Sequence, residues 1–157
     1  MLRKILIATA IAVPVAAAAA PPAVFLRDAI QGNYSEVALG RMIQNRGYSE
    51  QVRSFGAMLV RDHSKGLAQA QAIAARLRLR ISVTLTPEAR RERILLQRLN
   101  GRTFDREVRR YMINDHLKDI AAFKAQVRTG DRATSGYAAA TVPVMQRHLA
   151  MARSIRG

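Results

Sequence analysis

Four long stretches in which apolar residues recur at helical spacing, joined by a short, a long and a short connection, constrain this chain most. The first runs from about Ala23 to Arg46 and is followed by Gly47, a residue suited to ending a helix. The second begins after Ser49, an N-cap type, and continues to about Leu77. The third starts near Thr103 and reaches Arg128, with Gly130 behind it, and the last spans about Arg132 to Ile155. Pro143 lies inside that last stretch, so a kink is expected there.

The long connection has its own pattern. Leu77, Leu79, Ile81, Val83 and Leu85 alternate with Arg78, Arg80, Ser82 and Thr84, a period of two that suits extended chain. A lone strand has no pairing partner, so the stretch reads as an extended crossover laid over the helices. Thr86 and Pro87 then start a short helix, one as cap and the other at the first helical position. The short–long–short connectivity is that of ferritin-like bundles. The expected fold is therefore all-α: a ferritin-like four-helix bundle with a long crossover containing an extended segment and a short helix.

Residues 1–20 read differently. Arg3 and Lys4 precede an uncharged run, Ile5 to Ala20, that closes in alanines, the form of a cleaved secretory signal with the cut expected among Ala17 to Ala19. The run is shorter than the ~20 residues a membrane-spanning helix needs. Residues 21–157 are then the bundle domain, large enough to fold without a staple. The chain has no cysteine, which excludes disulfides, thiolate metal sites, iron–sulfur clusters and covalent c-type haem. Two of the 26 basic residues leave with the leader, so 24 face 11 acidic ones, a formal +13. That charge attracts polyanions. Export and the scarcity of aromatic residues among the arginine clusters argue against nucleic acid, leaving a plain solvated basic surface first and an anionic envelope surface, lipid headgroup or polysaccharide, as the candidate partner. Oligomeric state is not legible.

The histidines carry the chemistry. With successive residues about 100° apart on a helix, Phe25, Ala29, Leu39, Gly40 and Ile43 form one stripe with Glu36 at its centre. On the second helix Val52, Phe55, Leu59, Gly66, Ala70, Ile73 and Leu77 surround His63, with Asp62 at the edge. On the third, Phe104, Val108, Tyr111, Met112, Ile120 and Phe123 share a broad face with Asp115, His116 and Asp119. On the fourth, Tyr137, Val144, Met151, Ala152 and Ile155 surround His148. If the two hairpins turn near 47–48 and 130–131, Glu36 lies about one turn from His63, and His116 about one turn from His148. All three histidines of the chain would then meet near mid-bundle.

Ionisable groups inside a bundle must be paired or must hold something. Facing imidazoles and carboxylates match the way bundle-core metal sites are built, and that donor set suits zinc, iron or manganese. On this reading Glu36, His63, His116 and His148 are the candidate ligands, and Asp62, Asp115 and Asp119 are candidates to accept the second N–H of an imidazole. The alternative is a buried hydrogen-bond network without metal. Ser64 adjoins His63, but neighbours on a helix point different ways, so no nucleophile–base pair is implied. Neither a Walker-type loop nor a dinucleotide glycine fingerprint is present.

The succession GNYSEVALGRM, FGAMLVRDHSKG, LNGRTFDREVRRYMINDH and AAATVPVMQRHLAMAR resembles a bacterial family of exported proteins of unknown function, often labelled outer-membrane proteins. The resemblance spans nearly all of the chain after the leader. It implies a ferritin-like four-helix bundle and marks Glu36, Asp62, His63, Asp105, Asp115, His116 and His148. Val142-Pro143 departs from the Leu-Pro usual before the last histidine, and the Glu-x-x-His pairs of di-iron carboxylate bundles are missing. Without a spanning helix or barrel strands in the sequence, the expected location is periplasmic. The expected function is transition-metal binding; a structural envelope or stress-related protein and a polyanion-binding module are the alternatives.

Overall fold

The computed structural model describes residues 19–128 and 131–156. Five helices follow in order: α1 (Pro22–Arg46), α2 (Glu50–Arg76), α3 (Pro87–Arg98), α4 (Gly101–Val127) and α5 (Arg132–Ser154). The architecture is all-helical, as the apolar periodicity requires. Most of the leader read over residues 1–20, and Gly130, lie outside the described residues. Among the described residues, no helix is long and apolar enough to cross a membrane.

Local chemistry sets the helix ends. Ser49 accepts from Val52 N and caps α2; Thr86 accepts from Ala89 N and caps α3 ahead of Pro87; Asp131 accepts from Thr134 N and caps α5. Gly47 follows α1 but at φ −53°, a conformation open to any residue. Glycine is needed there for space: a Cβ would lie 2.8 Å from Val52 Cγ1 and 2.9 Å from the Ile43 carbonyl. At the end of α2 the left-handed residue is Arg78, φ 54°. Its N–H donates to Ala75 O at 3.0 Å and Leu79 N–H to Ala74 O at 2.9 Å, a Schellman turn that sends the chain into the crossover. Leu77, read as interior, is 43% exposed because this turn lifts it off the bundle. Pro143 and Ala139, four residues before it, are both exposed, so the carbonyl that the proline leaves without a donor faces water and α5 continues through.

The crossover is extended and unpaired, and Leu79 and Ile81 rest on the core. It is tied down by Gln31 Nε2 donating to Ser82 O (3.3 Å) and Thr86 N to Ser35 Oγ (2.9 Å). Two further clamps fix the bundle end. Arg46 donates to Leu96 O and Leu99 O at 3.0 and 2.9 Å, and its guanidinium stacks on the Phe104 ring. Asp105 accepts from the backbone N–H groups of Tyr48 and Ser49, both at 2.9 Å. The aspartate marked by the family resemblance therefore holds the α1–α2 turn against α4.

α1 and α2 form one antiparallel hairpin, α4 and α5 the other, and α2 packs on α5. The first hairpin is close enough that a Cβ on Gly56 would meet Gln44 N at 2.4 Å, so backbone touches backbone there. The core divides into two apolar clusters. One joins Phe25, Ile30, Ala70, Phe123, Tyr137 and Met145; the other joins Leu39, Ile43, Phe55, Leu59, Phe104 and Met112. Glu36 on α1, His63 on α2 and Asp115, His116 and Asp119 on α4 fall between the stretch that feeds one cluster and the stretch that feeds the other. His148 on α5 lies near the same boundary, one turn before Ala152, so a polar belt crosses mid-bundle.

Candidate metal centre

The belt contains all three histidines, and all three are buried. Each long helix other than α1 supplies one: His63 from α2, His116 from α4, His148 from α5. Their ring centroids are 5.1 to 5.8 Å apart, and one ring nitrogen of each lies within 4.8 Å of the other two.

The hydrogen bonds fix which nitrogens carry protons. His116 Nδ1 lies 3.0 Å from the Met112 carbonyl, which can only accept, so Nδ1 holds the proton. His148 Nε2 lies 3.0 Å from Asp62 Oδ2. Burial pushes the Asp62 carboxyl up, but hydrogen bonds from Arg61 and His148 outweigh it and hold it below its usual range; it accepts, and His148 Nε2 donates. His63 Nδ1 faces Asn33 Oδ1 at 3.1 Å. The Asn33 amide is oriented by its own N–H groups, which donate to Ala29 O at 2.7 Å and Tyr137 Oη at 3.0 Å. Tyr137 in turn donates to Gly66 O at 3.2 Å. His63 therefore donates through Nδ1.

The nitrogens left without protons are His63 Nε2, His116 Nε2 and His148 Nδ1. The last two face each other at 3.3 Å. His63 Nε2 is buried without a hydrogen-bond partner, and so is Glu36 Oε2, 3.9 Å away. Lone pairs so placed repel one another unless a cation lies among them. The rings are held neutral: burial first, then the neighbouring imidazoles, push His63 well below its ordinary value and His116 to about 3. His148 is also lowered by burial, with Asp62 opposing.

Beyond Glu36 the belt changes character. Burial, then Asp115 and Asp119, raise the Glu36 carboxyl well above the usual carboxylate range, and it shares a hydrogen bond with Asp115. Asp115 is itself raised by burial although Glu36 and Tyr111 donate to it. Asp119 is pushed up to about 7 by burial and then by Asp115. Of the three aspartates read as partners for imidazole N–H groups, Asp62 is the one found in that position. Asp115 and Asp119 lie with Glu36 on a cavity of about 410 Å³ bounded by α1, α4 and the start of α3.

A model of one protein family matches residues 9–155. The chain belongs to that family, described as Domain of unknown function (DUF4142). No match was found among curated proteins or solved structures. For this member of DUF4142, the residues that sequence reasoning passes over are Asn33 and Gly66. The signal was present in their spacing, one turn before Glu36 and one turn after His63. A Cβ at residue 66 would lie 2.5 Å from Asn33 Oδ1, so the glycine makes room for the amide that orients His63. Met151, read as interior, is 37% exposed, and Met145 takes the core position instead.

Proposed function

We propose that this is an exported, periplasmic, ferritin-like bundle that binds a transition metal ion through His63, His116 and His148, with Glu36 as fourth ligand. One observation carries the reading: each imidazole gives its N–H outward to Asn33, Met112 O or Asp62, and the three unprotonated nitrogens are left at the bundle centre. Outward donation of this kind fixes tautomer and ring orientation in metal sites. Neutral imidazole is also the form that ligates.

The dimensions are compatible with a small divalent ion. Bonds of about 2.0–2.2 Å at tetrahedral angles place ligand atoms about 3.4 Å apart. His116 and His148 already stand at 3.3 Å, and one ring nitrogen of each of the three histidines lies within 4.8 Å of the others. A nitrogen-rich set with one carboxylate and no thiolate suits zinc, iron or manganese.

The 3.3 Å contact also supports a second reading. A proton on His148 Nδ1 would donate to His116 Nε2 and leave an imidazolium paired with Asp62, a structural network in a non-catalytic envelope protein. The burial that lowers His148 weighs against it.

Elemental mass spectrometry on untagged mature protein, purified from periplasm without chelator, separates the two. Near-stoichiometric zinc, iron or manganese that disappears in His116→Ala supports the metal site. Protein that stays metal-free and gains no thermal stability from these ions leaves the imidazolium network.

A further inference from the structure

Two cavities approach the histidines from opposite sides, and they differ in charge. One, about 220 Å³, is lined by Asp62, His63 and His148 and flanked by the exposed cations Lys65 and Arg147. The other, about 410 Å³, is lined by Asp28, Glu36, Glu88, Asp115 and Asp119, with Arg27 and Lys118 also on its walls. Five of the chain's eleven acidic residues thus line one cavity of a protein with formal charge +15.

Glu36 links that cavity to the histidines. Its side chain is buried, 3% exposed, and lines the acidic cavity, while its Oε2 has no hydrogen-bond partner and stands 3.9 Å from His63 Nε2. Asp119 also lines a smaller cavity that reaches His63, so the two spaces adjoin. At the rim, Asp28 and Glu88 are exposed carboxylates.

Resting on the metal reading above, we propose that the acidic cavity is the route by which a divalent cation reaches the three histidines, with Glu36 passing it from the carboxylates to His63. A dication approaching so basic a surface is repelled over most of it, and its capture rate rises at a depression where carboxyl groups outnumber cations, here five to two. Clefts lined by one sign of charge raise the association rate of the opposite sign about 10- to 10³-fold, an effect that salt suppresses. The second cavity, with Lys65 and Arg147 beside it, repels a cation for the same reason.

Stopped-flow binding of cobalt(II), followed by its visible absorption, tests the route. The double variant Asp28→Asn/Glu88→Gln changes only exposed side chains that are not candidate ligands. It should slow association about fivefold at low ionic strength while equilibrium affinity stays within about twofold, and the difference should vanish near 0.5 M salt, where exposed charges are screened beyond roughly 4 Å. Lys118→Gln should accelerate association, and Lys65→Gln/Arg147→Gln should leave it unchanged. Acceleration in the Lys65/Arg147 variant without slowing in the Asp28/Glu88 variant would move the route to the opposite cavity. Equal rates in all variants would mean that no fixed route exists. A wild-type protein that shows no cobalt spectrum, or one that His116→Ala retains, would overturn the metal reading itself and the route with it.

Discussion

His116 Nε2 stands 3.3 Å from His148 Nδ1, and each ring gives the proton on its other nitrogen away from the pair, to the Met112 carbonyl and to Asp62. Two buried acceptors pointed at each other make an unfavourable contact in a neutral protein. They make half of a ligand set once a cation is bound. The position of Asp62 follows from this, since its carboxylate both fixes the His148 tautomer and raises the basicity of the nitrogen that faces inward.

Asp62→Asn should therefore weaken metal binding without removing a ligand. Loss of an acceptor behind a metal-bound histidine costs about 10–100-fold in affinity. Competition against a zinc-chelating dye measures it, with His148→Ala as the reference for loss of the ligand itself. An affinity unchanged in Asp62→Asn would show that Asp62 does not set the His148 tautomer.

Gly66→Ala tests the support of His63. The added methyl would sit 2.5 Å from Asn33 Oδ1, and Asn33 is held by Ala29 O and Tyr137, so it cannot retreat freely. Overpacking of this kind costs about 1–3 kcal/mol. Urea denaturation of the metal-free protein should show that loss, and dye competition should show weaker binding because His63 loses its orienting acceptor. Full stability in Gly66→Ala would mean that the Asn33 amide moves without cost.

The helix ends are legible in the sequence because short-range chemistry sets them, as at Ser49 and Thr86–Pro87. The alternation over 77–85 likewise reports an extended segment with Leu79 and Ile81 turned inward. Facing directions at the edge of a stripe are less legible. Asp115 and His116 are neighbours on one broad face of α4, and about 100° of rotation sends one to Glu36 and the other to His148. Met151 and Met145 differ in the same way, since the buried arc of α5 centres between His148 and Leu149 and leaves Met151 outside it. Spacing puts Asn33 on the face of Glu36, but its role is not legible there, because it depends on a glycine in another helix.

The belt predicts opposing pH dependences for metal-free protein. His63, His116 and His148 have lowered pKa values, so the unfolded chain takes up protons near pH 6.5 that the folded protein refuses until about pH 3 at His116. Their contribution to stability is complete above 6.5 and is lost as pH falls below it. Asp119 is raised to about 7 from 3.8, so its contribution is complete below 3.8 and is lost as pH rises toward 7. Asp119→Asn removes the second slope. It should be more stable than wild type at pH 8, by on the order of 1 kcal/mol, with the advantage gone near pH 4. Urea titrations at the two pH values check this, and equal differences at both would show that Asp119 ionises freely in the folded protein.

Arg78 offers a prediction independent of the metal. It occupies the left-handed position of the α2 Schellman turn at φ 54°, where a side chain costs about 1 kcal/mol relative to glycine. It is exposed and its backbone N–H is bonded to Ala75 O, so exchanging the side chain leaves the turn's hydrogen bonds intact. Glycine adds freedom to the unfolded chain, which offsets part of the gain. Arg78→Gly should still raise stability by about 0.5 kcal/mol, visible as a higher urea midpoint at unchanged slope, with no change in metal stoichiometry. A lower midpoint would show that the guanidinium contributes to anchoring the crossover.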